Sequence, residues 1–136
     1  MSALPTGEPR VSLETKPYWD ATAEGRIDLP VCDACGFVVW YPRGICPKCQ
    51  STELTWTTMA GTGIVYSYTV TRGGVGSRWR EHLPIVVAYV ELDEGPRMLT
   101  NIVDTDPDSV SIGMPVRAVF DDSGHDSAIV RFTAAH

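Results

Sequence analysis

All four cysteines of the chain lie in residues 31–49, as two pairs with the spacing Cys32-x2-Cys35 and Cys46-x2-Cys49. Two such pairs, brought together by a hairpin, can present four thiolates tetrahedrally, which suits Zn²⁺ or, alternatively, iron as in rubredoxin. A closed shell of four thiolates leaves no coordination position for water. We therefore predict one structural zinc site. A redox-active CxxC pair and two disulfides are the competing interpretations.

The residues around the cysteines favour tight metal-binding turns. Gly36 follows the first pair, where a turn with positive φ is expected. Pro47 lies inside the second pair and restricts its backbone. The intervening segment, GFVVWYPRGI, is apolar enough for a short strand and its return. If all four cysteines bind the metal, none of them remains to act as a nucleophile.

Composition sets limits on the class of protein. The chain has 136 residues, 43% hydrophobic and 21% charged, which is typical of a globular protein with a single core. Its net charge of −6 disfavours binding to nucleic acid through phosphates. No apolar run approaches the roughly 20 residues that span a bilayer. The start, MSALPTGEPRVSLE, lacks the pattern of a signal peptide. We expect a cytoplasmic protein without membrane or nucleic-acid contacts.

The segment before the cysteines predicts a loose leader over residues 1–11 and a short helix over residues 12–25. Ser12 or Thr15 would cap this helix, and Gly25 would end it. Its conspicuous residues are Tyr18 and Trp19. They either pack the helix onto its own domain or anchor a partner protein, since aromatic residues are enriched at interface hot spots.

The sequence pattern beyond the cysteines is typical of a β-protein. Residues 53–72 read as one long strand bent at Gly61 and Gly63, with Ile64, Tyr66, Tyr68 and Val70 on one face. Four further strands are predicted over residues 83–93, 97–104, 115–122 and 128–134. Because a small open sheet would expose its edges, five strands favour a closed barrel, an OB-fold first and an SH3-like barrel second.

The predicted architecture is therefore mainly β: a short N-terminal helix, a rubredoxin-like zinc ribbon and a five-stranded OB-fold barrel. The expected boundaries are a leader with helix over 1–26, the ribbon over 27–52 and the barrel over 53–136.

The segment TRGGVGSRWREHLP (71–84) is the main candidate for a contact surface outside the metal site. Its candidate contact residues are Arg72, Arg78, Trp79, Arg80 and His82. Arginines suit phosphates, and a tryptophan can stack on adenine or lie against a flat sterol. The same residues could contact a partner protein or single-stranded nucleic acid. His82 beside Glu81 invites a general-base role, but no nucleophile motif completes it, so we predict no catalytic residue.

In their order along the chain, these motifs resemble a known family. A short helix with PYW leads into C-x2-C-G and C-P-x-C, then into GTGIVYSYTV, LPIVVAYVELDEGPRMLTNIV and IGMPVRAVF. This order is similar to that of acyl-CoA-associated proteins that join a rubredoxin-like zinc ribbon to an OB-fold. The resemblance covers residues 15–133.

The resemblance implies a partner subunit rather than an enzyme. Members of that family accompany thiolase-fold enzymes, either an acetoacetyl-CoA thiolase with an HMG-CoA synthase or aldolases that shorten steroid side chains as CoA thioesters. In some relatives the domain is fused to an enoyl-CoA hydratase. The long insertion at residues 71–84 leads us to favour the aldolase setting.

We accordingly predict a non-catalytic subunit that stabilises a retro-aldolase for a β-hydroxyacyl-CoA, such as a steroid side-chain thioester, and shapes its acyl-CoA channel. The alternatives are a scaffold for a thiolase/HMG-CoA synthase complex, a free-standing acyl-CoA carrier and a single-stranded nucleic-acid-binding protein.

Overall fold

The computed structural model describes residues 4–135 as a helix, a two-stranded sheet and a five-stranded barrel. The helices are α1 (Lys16–Ala23) and the single turn α2 (Ser77–Arg80). The strands are β1 (Asp28–Cys32), β2 (Leu54–Thr58), β3 (Thr62–Thr71), β4 (Ile85–Leu92), β5 (Arg97–Ile102), β6 (Pro115–Asp122) and β7 (Ala128–Ala134). No helix in these described residues is long and apolar enough to cross a membrane.

Helix α1 is shorter than the predicted 12–25 because its first turn starts only after Thr15, the N-cap residue. Pro17 is accommodated in that first turn, where its missing N–H has no partner to lose. Gly25, with φ of 77°, ends the helix as predicted. The Thr22 hydroxyl accepts a hydrogen bond from the Ala128 amide at 3.0 Å, which connects α1 to β7.

The prediction of one bent strand over residues 53–72 is wrong. Strand β2 pairs antiparallel with β1, whereas β3 starts at Thr62 and belongs to the barrel. The chain leaves the first sheet at Gly61, whose φ of 79° is a left-handed conformation that glycine adopts without strain. The boundary between ribbon and barrel at residue 53 stays a prediction.

The barrel is closed in the order β3-β4-β5-β7-β6, with β6 returning to pair with β3. Strands β5 and β7 meet in parallel at Ile102 and Phe132, and the other neighbours are antiparallel. Gly63 permits close approach of β3 and β4, since a Cβ there would lie 2.3 Å from the Glu91 carbonyl oxygen. This five-stranded closed barrel confirms the predicted OB-fold.

The prediction that Ile64, Tyr66, Tyr68 and Val70 share one face of β3 is correct only in part. A β-bulge between Val65 and Ser67 shifts the register against β4. Val65 is fully buried, and after the bulge Tyr68 and Val70 are paired with the buried residues Ala88 and Val86. An extra residue in one strand reverses the alternation beyond it. Simple period-two counting therefore failed at this point.

A single apolar core runs from the ribbon into the barrel. Tyr18, Ile27 and Leu29 belong to the same buried cluster as the barrel residues Val65 and Phe132. Other members include Met59, Val86, Ala88, Val90, Leu92, Met98, Ile102, Val110, Val116 and Val130. The helix and ribbon are therefore packed onto the barrel rather than suspended from it.

The prediction of a loose leader is wrong for Pro5 and Thr6, and for residues 7–11 it stays a prediction. The Pro5 carbonyl accepts a hydrogen bond from Arg131 at 2.9 Å, and the Thr6 carbonyl accepts one from Arg78 at 3.0 Å. These two residues are held because their carbonyls meet guanidinium donors, which form strong charge-assisted hydrogen bonds. Residues 1–3 lie outside the described part of the chain.

Candidate metal centre and contact surface

The two cysteine pairs form matching turns. The Gly36 amide donates to the Cys32 carbonyl at 2.8 Å, and the Gln50 amide donates to the Cys46 carbonyl at the same distance. Gly36 has a φ of 77°, as expected, and Gln50 occupies the equivalent place with a φ of 68°. The second turn therefore holds a non-glycine residue in the left-handed region, which carries a steric cost.

The four sulfur atoms converge on one point. All lie within 4.8 Å of one another, with Cys32 and Cys49 separated by 3.5 Å and Cys35 and Cys46 by 3.6 Å. Four ligands about 2.3 Å from a tetrahedral zinc ion would lie about 3.8 Å apart. The donor set thus fits one zinc ion in both kind and spacing.

Backbone amides around the sulfurs favour thiolates. The Cys35 amide, more than any other group, lowers the pKa of the Cys32 thiol to about 7. Burial would raise the pKa of Cys46, but the Cys49 and Lys48 amides outweigh it and lower that pKa.

The Cys49 thiol holds its proton more firmly than an ordinary cysteine. The Ser51 amide lowers the pKa of Cys49, yet contacts with Cys32 and the other sulfurs, together with burial, raise it to about 12. Four thiolates therefore need a cation among them, which agrees with zinc binding coupled to proton release.

An aromatic cluster lies beneath the ribbon. The Tyr18 ring is 4.9 Å from the ring of Trp19, 5.5 Å from that of Trp40 and 6.0 Å from that of Tyr41, all in edge-to-face geometry. The Trp19 indole N–H donates to the Tyr41 hydroxyl at 3.0 Å. These contacts join α1 to the segment between the two cysteine pairs.

The cluster decides where Tyr18 points. Tyr18 is only 3% exposed, and its burial, with a smaller effect of Tyr41, raises the pKa of its phenol. The prediction that Tyr18 contacts a partner is therefore wrong, because its ring is part of the chain's own core. Trp19 is half-buried at the edge of this core, and its contact with a partner stays a prediction.

The loop over residues 71–84 places its charged residues in different environments. Arg78 donates to the Thr6 carbonyl, and Arg72 approaches Asp108 at 3.5 Å with both side chains exposed. Arg80 is exposed and has no hydrogen bond or ion pair with any residue of the described chain. The loop thus exposes Arg80 to solvent, and it also exposes Arg72, which has Asp108 nearby.

Trp79 borders an open apolar groove of about 480 Å³ on the outer face of the barrel. Its other lining residues include Val75, Ile85, Val87, Leu99 and Asn101. Trp79 was predicted from the sequence, whereas the β4 and β5 residues were not, because the face on which they lie depends on the strand register. The alternation of Val87 and Tyr89 along β4 is the sequence feature that could have identified this outer face.

His82 does not join a catalytic arrangement. It is half-buried beside a cavity of about 270 Å³ that is also lined by Leu4 and Asp104. Its imidazole has no hydrogen-bond partner among the described residues, and Glu81 is exposed. The general-base pair suggested by the adjacent residues is not formed.

A second apolar area, unsuspected from the sequence, lies on the outer face of β3, β4 and β5. Tyr89 and Leu99 are register partners, 45% and 60% exposed, and the Arg97 guanidinium lies 3.8 Å from the ring centre of Tyr66. Exposed aromatic residues with a stacked arginine are typical of protein interfaces.

These features define a protein in which a four-cysteine, rubredoxin-like zinc ribbon is packed on an OB-fold barrel. Two family models match the chain: "ChsH2, rubredoxin-like zinc ribbon domain" over residues 19–55 and "ChsH2, C-terminal OB-fold domain" over residues 56–121. The chain belongs to the DUF35 family of ribbon and OB-fold proteins, as its relatives show.

A solved structure, "Ltp2-ChsH2(DUF35) aldolase", contains a chain that is 32% identical, with a TM-score of 0.83 over 95% of this chain and 100% of that one. A "DUF35 domain-containing scaffold protein" of Methanothermobacter thermautotrophicus is 41% identical over 65% of this chain and 67% of its own length.

The "3-oxo-4,17-pregnadiene-20-carboxyl-CoA hydratase alpha subunit" of Mycobacterium tuberculosis is 33% identical over 84% of this chain. The chain spans 36% of that subunit and 63% of another relative, a scaffold protein of Methanocaldococcus jannaschii.

Proposed function

We propose that this chain is a non-catalytic subunit of a thiolase-fold aldolase that cleaves a β-hydroxyacyl-CoA by a retro-aldol reaction. The observation that carries the proposal is the likeness, along the full length of that chain, to the DUF35 component of an Ltp2–ChsH2 aldolase. Identity of 32% with a TM-score of 0.83 supports a shared role as well as a shared fold.

The chemistry of the chain supports a structural role. Retro-aldol cleavage needs a base at the β-hydroxyl and a group that stabilises the resulting enolate of the thioester. Zinc in a closed four-thiolate shell would cross-link the two cysteine turns and offer no position to a substrate. Within residues 4–135, His82 has no hydrogen-bond partner that would orient it as a base. We therefore assign the catalytic groups to the partner.

The loop over residues 71–84 is the proposed contact surface. Arg72 and Arg80 are exposed cations that suit the phosphates of CoA or carboxylates of the partner. Trp79 borders the apolar groove, where an adenine or an apolar side chain would fit. His82 and Trp19 lie at the margins of this surface and of the ribbon, and we propose contacts with the partner for both.

The names of the relatives guide the choice of substrate. The mycobacterial relative is named for a steroid carboxyl-CoA, which supports a steroid side-chain thioester as the substrate of the aldolase. Its name also supports a hydratase as a further member of the complex. The archaeal relatives are named as scaffold proteins, which favours a thiolase/HMG-CoA synthase scaffold as the second candidate. A cytoplasmic location suits a cluster of free thiols.

The first experiment is affinity purification of the tagged chain from its own host. The thiolase-fold subunit that is recovered is then co-expressed with this chain. We expect a near-stoichiometric complex, lyase activity on acyl-CoA substrates in the complex, and none in this chain alone. Arg80→Ala should raise the KM for acyl-CoA or weaken the complex. Arg43→Ala, an exposed arginine on the ribbon, is the matched control.

Recovery of a thiolase with an HMG-CoA synthase would select the scaffold alternative. Salt-sensitive binding of single-stranded nucleic acid, without any thiolase-fold subunit, would refute the proposal and favour the nucleic-acid alternative.

A further inference from the structure

Two arginines from distant parts of the chain hold the leader residues 4–6. Arg131, on β7, donates from Nη2 to the Pro5 carbonyl at 2.9 Å. Arg78, in α2, donates from Nη2 to the Thr6 carbonyl at 3.0 Å. Leu4 lines one cavity together with His82, which lies near the other end of the contact loop. The leader is therefore bonded to the loop through Arg78 and shares a cavity with His82.

The barrel side of this contact is rigid. Arg131 is only 4% exposed, and its other donors reach the Asp121 carboxylate at 2.7 Å and the Asn101 side-chain oxygen at 2.5 Å. A buried guanidinium needs all its donors satisfied, since an unpaired buried charge is costly. Barrel residues accept hydrogen bonds from Nε and Nη1 of Arg131, and the Pro5 carbonyl accepts the one from Nη2.

The loop side is weakly held by its own sequence. The turn α2 has no side-chain cap and no buried residue, and three glycines, Gly73, Gly74 and Gly76, lie in the four residues before it. Its amides at Trp79 and His82 donate to the carbonyls of Gly76 and Trp79, each at 3.0 Å. A turn of this kind needs an external contact to keep its position.

We propose that residues 4–6 form a strap that positions the loop over residues 71–84, with Arg78 and Arg131 as the positioning residues that bind its Thr6 and Pro5 carbonyls. Arg78 is then occupied by the strap, and Arg80 is the loop cation that remains available to an anionic group. This inference adds a positioning device to the proposed function. Only the identity of the group that Arg80 contacts rests on that function.

Amide hydrogen exchange of the full chain, followed by NMR, tests the strap without any partner. Arg78→Gln should speed the exchange of the Trp79 and His82 amides about tenfold, the factor expected for loss of one hydrogen bond to a charged group. Arg80→Gln is the matched control and should leave both rates within about twofold. The Ser123 amide, bonded to the Ser127 carbonyl in a distant turn, is the internal reference.

A mutant cycle separates the strap from a local effect of the arginine. A variant that lacks residues 1–6 should show the same increase, and Arg78→Gln in that variant should add nothing further. The buried core cluster contains no residue of the strap, so the barrel should stay folded.

Equal exchange rates in the Arg78→Gln and Arg80→Gln proteins would overturn the proposal. Additive effects in the cycle would overturn it as well. Because neither measurement involves a partner or acyl-CoA, failure of the strap and failure of the proposed aldolase role give different results.

Discussion

Replacement of Tyr18 tests whether the N-terminal helix and ribbon share one core with the barrel. Tyr18 is 3% exposed and makes three edge-to-face contacts, at 4.9, 5.5 and 6.0 Å between ring centres. Truncation of a buried aromatic ring to alanine costs about 3–5 kcal/mol. For 136 residues, an unfolding entropy of about 2.1 cal/mol/K per residue converts this cost to a fall in Tm of roughly 10–18 °C.

The assay is thermal and urea unfolding of the zinc-loaded protein, followed by circular dichroism. Tyr18→Phe keeps the ring and removes only a hydroxyl, for which the described chain provides no hydrogen-bond partner, so its free energy of unfolding should stay within about 1 kcal/mol of wild type. Tyr89→Ala is the control for the same truncation at a 45% exposed site, with an expected cost below about 1 kcal/mol.

A loss below about 1 kcal/mol for Tyr18→Ala would refute the shared core. Tyr18 would then be free to contact a partner, as the sequence first suggested.

Three further predictions concern the metal site and the buried ion pair. Cys46→Ser should lower the bound zinc, measured by mass spectrometry, from one ion per chain to near zero and expose the ribbon to protease, because a buried ligand is lost. Gln50→Gly should stabilise the zinc-loaded protein by up to about 1 kcal/mol in urea unfolding, whereas Gly36→Ala should destabilise it by about 1–2 kcal/mol, since both positions have positive φ. Arg131→Met should cost about 3–5 kcal/mol in the same assay, and adding Asp121→Leu should recover much of it, because the first change alone leaves a buried carboxylate unpaired.

Each of these has an outcome that contradicts it. Full zinc occupancy in Cys46→Ser would mean that three thiolates suffice. A Gln50→Gly protein no more stable than wild type would show that Gln50 carries no steric cost in its left-handed conformation. A double variant no more stable than Arg131→Met would place the importance of Asp121 outside the ion pair.

The local features of the ribbon were predictable because they depend on short spacing. The two Cys-x2-Cys pairs are each closed by a hydrogen bond within one turn, and Gly36 has the positive φ expected of it. The strands β6 and β7 were predicted with their observed bounds, since each is rich in apolar residues and the turn-rich segment between them separates the two. The closed barrel followed from the number of such strands.

The features that failed all depend on contacts between distant segments. The bulge after Val65 reversed the faces of β3, and only pairing with β4 reveals it. Strand β2 pairs with β1 across the whole ribbon, which no local pattern indicates. The contacts of Pro5 and Thr6 were not predictable because their binding groups are backbone carbonyls, which every residue carries.

The sequence by itself determined the metal site and the class of fold, because thiolate chemistry and strand periodicity act over a few residues. Only the tertiary structure decided that Tyr18 is buried, that Arg78 holds the leader and that Arg80 has no hydrogen bond or ion pair within residues 4–135. Burial and charge pairing depend on which residues the closed barrel brings together, and that choice is made by the whole core rather than by any segment of it.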